Sequence, residues 1–151
     1  MTRQEILGTA KEFLSLLEGR VPMEERERRL RWLLDRLALA YHFADAPFDS
    51  RDVPAPPRAD DAALRPRIGQ LFPGLGLYNA VLDVAEKVGE SEPGIGDAVD
   101  DLTDIARDLQ EVVTRWEMSE EDALWHFRFG FESHWGRHLR SLQLYLHERA
   151  F

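Results

Sequence analysis

The sequence predicts an all-α fold, a single domain over residues 1–151 built as a bundle of about five helices, and three observations carry that expectation. The stretch from about Glu120 to Glu148 keeps apolar residues at helical spacing over a length that crosses a whole domain. The stretch opening at Asp97 carries two stripes at that spacing, one acidic and one apolar. Residues 3–18 and 23–44 repeat the period on either side of a Gly-Arg-Val-Pro break.

In chain order, Ile6, Leu7, Ala10, Phe13, Leu14 and Leu17 line one helix that Gly19 stops. The next helix opens with the charged run EERERRLR, a solvated face, and ends in a broad apolar block through Leu30, Leu33, Leu34, Leu37 and Ala40. Asp45 to Arg58 holds four prolines and few apolar residues, so a long irregular connection is expected over about 45–59. A short helix follows from Asp60 to about Gln70, with Asp60 or Asp61 as its cap. The residues from Leu77 to Val88 favour another short helix, although LYNAVLDV also suits a strand. GESEPGIG reads as a turn leading into the acidic helix, with Asp97 as its N-cap. Ser119, three residues before Asp122, resembles a capping box at the start of the long last helix. At 1.5 Å per residue that helix spans about 43 Å, and Gly130 and Gly136 inside it admit a bend or a close neighbour.

Composition excludes several function classes. The chain has no cysteine, which removes disulfides, thiolate metal sites and cysteine nucleophiles. A net charge of −9 argues against a nucleic-acid surface. No apolar run is long enough to span a bilayer, and the N-terminal MTRQEILGTAKEF lacks the pattern of a signal peptide. A bacterial-type cytoplasmic protein with no membrane partner is the expectation. No GxGxxG, P-loop or GxSxG motif is present.

The residues that could carry chemistry fall in two helices. Asp97, Asp100 and Asp101 suit the first turn of a helix, where negative charge meets the dipole. Asp104 and Asp108 lie deeper and lean toward the apolar side. The bland expectation pairs one of them with Arg128, placed on the apolar stripe of the last helix, because a buried arginine needs a carboxylate. The sharper one makes Asp101, Asp104 and Asp108 ligands of a hard divalent cation. His134 and His138, one turn apart, could present imidazoles from one face, but the text HWGRH lacks the glutamate of HExxH.

The segment DDLTDIARDL, followed by FESHWGRHLRSLQLYLH, resembles a bacterial all-helical family catalogued as domain-of-unknown-function family 5063. The family pattern D-L-x-D-I-x-x-D-L falls on Asp101, Leu102, Asp104, Ile105, Asp108 and Leu109. Its W-G-x-x-L falls on Trp135, Gly136 and Leu139. The resemblance implies a small helical domain and supplies no activity, cofactor or catalytic residue.

Two functions of different class follow. One is a non-enzymatic interaction or accessory protein that needs no cofactor and uses the 45–58 loop or the acidic groove to hold a protein partner. Four tryptophans and eight phenylalanines make a homodimer plausible in this class. The other is a divalent-metal-dependent hydrolase of a phosphate compound, with Asp101, Asp104 and Asp108 as ligands and His134 or His138 as base.

Overall fold

The computed structural model describes residues 1–48, 53–57 and 61–151. Part of the proline-containing connection, including Arg58 and the cap candidate Asp60, lies outside them.

Helix α1 runs Arg3–Leu16 and is capped by Thr2, whose hydroxyl accepts from the Glu5 amide while the Glu5 carboxylate accepts from the Thr2 amide. That reciprocal pair satisfies two amides the helix start would otherwise orphan. Gly19, at φ +83°, supplies the left-handed residue that turns the chain after the helix. Helix α2, Met23–Tyr41, packs against α1, and its Leu30, Leu33, Leu34 and Leu37 are fully buried. Helix α3 is Leu64–Leu71, with Asp61 accepting from the Ala63 amide just ahead of it. Pro66 sits in its first turn, where no amide is needed.

Residues 77–88 do not form a helix. Leu77–Val81 is a strand, β1, paired antiparallel with β2, Pro93–Asp97, which occupies what reads from the sequence as a turn. The register sets Tyr78 opposite Gly96 and Ala80 opposite Gly94. A Cβ at Gly96 would overlap the Tyr78 ring, so the glycine is what lets that ring lie flat on the ribbon. Gly96, which looked like a turn residue, is thus the floor under an aromatic side chain, and Gly94 lies against Leu82.

Helix α4, Ala98–Trp116, is capped by Asp97, whose carboxylate accepts from the Val99 and Asp100 amides at 3.0 and 3.4 Å. The C-terminal helix comprises α5, Glu120–Gly130, a π-helical turn, Phe131–Trp135, and α6, Gly136–Ala150, running on without a break. Ser119 caps α5 by accepting from the Asp122 amide. Within the π turn the Gly136 amide reaches back to the Phe131 carbonyl, five residues earlier, and a Cβ at Gly136 would overlap that carbonyl. Glycine is therefore required where the helix widens by one residue.

The all-α reading stands, with a two-stranded ribbon added to a largely helical single domain. Leu102, Ile105 and Leu109 of α4 meet Phe127, Trp135, Leu139, Leu142 and Leu146 of the C-terminal helix in one fully buried core. Each such side chain contributes about 1.5–3 kcal/mol by leaving water. Among the described residues no helix is long and apolar enough to cross a membrane.

Candidate functional site

The core fixes the site because the same two helices build both. On α4 the apolar residues Leu102, Ile105 and Leu109 face inward, and Asp101, Asp104 and Asp108 form the stripe beside them. On the C-terminal helix Trp135 and Leu139 face inward, with His134 and His138 one position before each. Where α4 and this helix pack, the acidic stripe meets the two imidazoles.

The contacts are specific. Nδ1 of His138 lies 2.6 Å from Oδ1 of Asp101, and Nδ1 of His134 lies 2.6 Å from Oδ2 of Asp108. The rings stand edge to face with centroids 5.0 Å apart. Asp101 is nearly buried, His138 half-buried, and His134 about half exposed. Nε2 of His138 stands 3.6 Å from Oδ2 of Asp104. Asp104, His134 and His138 each offer one ligand atom, and the three atoms lie within 4.8 Å of one another.

A further residue, absent from the sequence reading, completes the cluster. The Tyr78 hydroxyl donates to Oδ2 of Asp101. Burial first, and the Asp101 hydrogen bond second, hold the Tyr78 phenol well above its ordinary range. The phenol is the donor and the Asp101 carboxylate the acceptor. The Asp101 hydrogen bond is also the main cause of a raised His138 pKa, opposed by burial and helped by the charges of Asp101, Asp104 and Asp108. Only the strand β1 brings Tyr78 here, so a helical reading of that stretch hides it.

Arg128 does not join the site. It is half exposed, its Nε donating to Glu132 Oε1 at 3.2 Å and its Nη1 to Asp45 Oδ1 at 3.4 Å. In α5 the inward positions are Ala123, Leu124 and Phe127, and one further residue turns the chain about 100° away from them. Among the described residues the buried arginine is Arg115, paired with Glu111 at 2.8 Å and Asp122 at 3.0 Å. Nor do Asp101, Asp104 and Asp108 converge on a point of their own, since the outer two are each taken by an imidazole.

Chemically, an imidazole whose Nδ1–H donates to a carboxylate carries its lone pair on Nε2 and has its ring orientation fixed. Both histidines have a carboxylate oxygen at Nδ1. A pocket of about 210 Å³ opens beside His134 and Asp108, walled by Val112, Phe129 and Gly130, with His126 on its far side. Burial is the main reason the His126 pKa is lowered.

The comparisons with known proteins bear on fold and family. The chain resembles the crystal structure of protein BF1032 from Bacteroides fragilis, a structural genomics target, with a TM-score of 0.75 at 16% identity over 97% of this chain and 90% of that one. No curated protein matches. At that identity the likeness shows the fold. The profile of the domain-of-unknown-function family 5063 (DUF5063) matches residues 2–150, and the chain belongs to that family.

Proposed function

We propose that this chain binds a divalent first-row transition metal through Asp104, His134 and His138, with Asp101 and Asp108 orienting the two imidazoles. The observation that carries the reading is the 3.6 Å between Nε2 of His138 and Oδ2 of Asp104. It is too long for a hydrogen bond, and it matches two donors sharing one ion at bonds of about 2.1 Å. Two histidines and one carboxylate suit zinc, iron(II), cobalt(II) or manganese(II), and three protein ligands leave coordination positions open. This set differs from the three-aspartate site anticipated in the sequence, because Asp101 and Asp108 serve the histidines. The family is described as a domain of unknown function, and the comparisons give no support to the phosphohydrolase reading.

Thermal melts of EDTA-stripped protein with zinc, cobalt, manganese and magnesium ions, run beside Asp104→Asn, test the proposal. A saturable rise in melting temperature with a transition metal, absent in the variant, is expected, because a ligand of the native state stabilises it by mass action. No response in the wild type would overturn it.

The interaction reading keeps one observation of its own. The outer face of the ribbon exposes Leu77, Val81 and Ile95, an apolar strip of the kind that a second copy or another protein covers. Sedimentation of wild type against Ile95→Lys decides whether the occupant is a second copy.

A further inference from the structure

We infer that Tyr78 is a positioning residue for the metal site, fixing through Asp101 the imidazole of His138, so that metal affinity is set in part from the ribbon. The inference rests on the metal-binding reading above.

The Tyr78 ring is held by two neighbours. One face lies over Gly96, its paired residue, where any side chain would overlap it. Against its other neighbour, Tyr145 of α6, it stacks with centroids 4.9 Å apart and planes 23° apart. Tyr145 is itself tied to the chain just before β1, its hydroxyl accepting from the Gly76 amide at 3.2 Å. The far end of the ribbon is tied to the same helix, where Arg137 donates to the Leu82 carbonyl at 3.0 Å. Arg137 is the immediate neighbour of His138. A ring so clamped carries its hydroxyl to Oδ2 of Asp101, with the Ser141 side chain as a second hydrogen-bond partner.

Asp101 is then pinned at both oxygens, by Tyr78 on one and His138 on the other. A carboxylate with one partner can rotate about its side-chain bonds, whereas one with two opposed partners cannot. Nδ1–H of His138 therefore meets a fixed acceptor, and Nε2 is aimed at Asp104. Without the phenol, Asp101 turns more freely and the imidazole it orients loses part of its preorganisation. Groups outside the first ring of ligands commonly change metal affinity by about 10–100-fold when removed, and a residue acting through Asp101 belongs at the lower end.

Tyr78→Phe keeps the stacked ring and removes only the hydroxyl. Zinc affinity of the chain, measured near neutral pH by competition with a chromophoric chelator, is expected to fall by about tenfold. Tyr78→Phe added to Asp101→Asn is expected to cause no further loss, because the two act as one unit. Imidazole ¹⁵N spectra of the metal-free protein supply a readout that a merely structural role would not move. Neutral His138 should be in the Nδ1–H form in the wild type and a mixture of tautomers in Tyr78→Phe. Gly96→Ala, which displaces the ring by a different route, should reproduce both changes. Wild-type affinity with an unchanged His138 tautomer in Tyr78→Phe would overturn the inference. If the wild type takes up no zinc, the metal reading fails on its own account, and the tautomer comparison then decides whether Tyr78 positions His138.

Discussion

Nε2 of His138 faces Oδ2 of Asp104 across 3.6 Å, while Nδ1 of the same ring is held at 2.6 Å by Asp101. One nitrogen is committed to a carboxylate and the other is left opposite a second one. A pure ion-pair network and a metal site both contain such contacts, and they respond to pH and substitution in opposite ways.

The first prediction concerns pH. The His138 pKa is raised above its ordinary value of 6.5, chiefly by the Asp101 hydrogen bond. In the metal-free protein its contribution to stability is full below about pH 6.5 and is lost as pH rises through the folded value. Metal binding needs the neutral imidazole, so metal-induced stabilisation grows over the same rise. Asp101, Asp104, Asp108 and His134 all face this ring, and His126, which lines the pocket beside His134, has its pKa shifted the other way. Melting curves against pH for wild type and His138→Gln, with and without zinc, isolate the group. The two wild-type curves should converge toward acid and diverge toward base.

The π turn supplies the second. Gly136→Ala places a methyl group against the Phe131 carbonyl. Relieving that overlap costs about 1–3 kcal/mol, the range for overpacking, and lowers the melting temperature by about 2–4 °C per kcal/mol in a domain of this size. Because His134 lies inside the turn and His138 beyond it, zinc affinity should fall too. Gly8→Ala, within α1 with open space around it, is the control that should leave zinc affinity unchanged and raise rather than lower the melting temperature.

Third, the two arginines should behave differently. Arg115→Leu strands the nearly buried Asp122 carboxylate and is expected to cost about 3–5 kcal/mol. Arg128→Ala, which breaks exposed pairs with Glu132 and Asp45, is expected to cost about 0–1 kcal/mol. Urea unfolding of both variants measures the contrast, and a large loss in Arg128→Ala would restore it to the buried role that the sequence suggested.

These residues also show how far the sequence could be read. Asp97 as a cap was legible because Gly-Ile-Gly before it and the apolar period after it fix the helix start. Thr2 and Glu5 carried the signature of a capping box and could have been read the same way. Arg128 was misplaced because a helical wheel drawn at constant period through Glu120–Glu148 ignores the π turn, which shifts the two halves against each other. Arg115 sat on the apolar edge of α4 with acids at Glu111 and Asp122, and only tertiary packing shows that it is enclosed. His134, His138 and the three aspartates were all visible as candidates. Their roles were not, since which carboxylate meets which imidazole depends on the crossing of two helices. Tyr78 needed the strand, and the strand was hidden because LYNAVLDV fits both periods and its partner is rich in glycine.

Calorimetric titration of zinc into EDTA-stripped wild type, Asp104→Ala and His138→Ala tests metal binding at the seam between the two helices. The wild type should bind one equivalent and neither variant should bind at comparable affinity, with both variants still folded by circular dichroism. Absence of binding by the wild type, or equal binding by all three proteins, would contradict it and leave Asp101, Asp104, Asp108, His134 and His138 as an ion-pair seam between two helices.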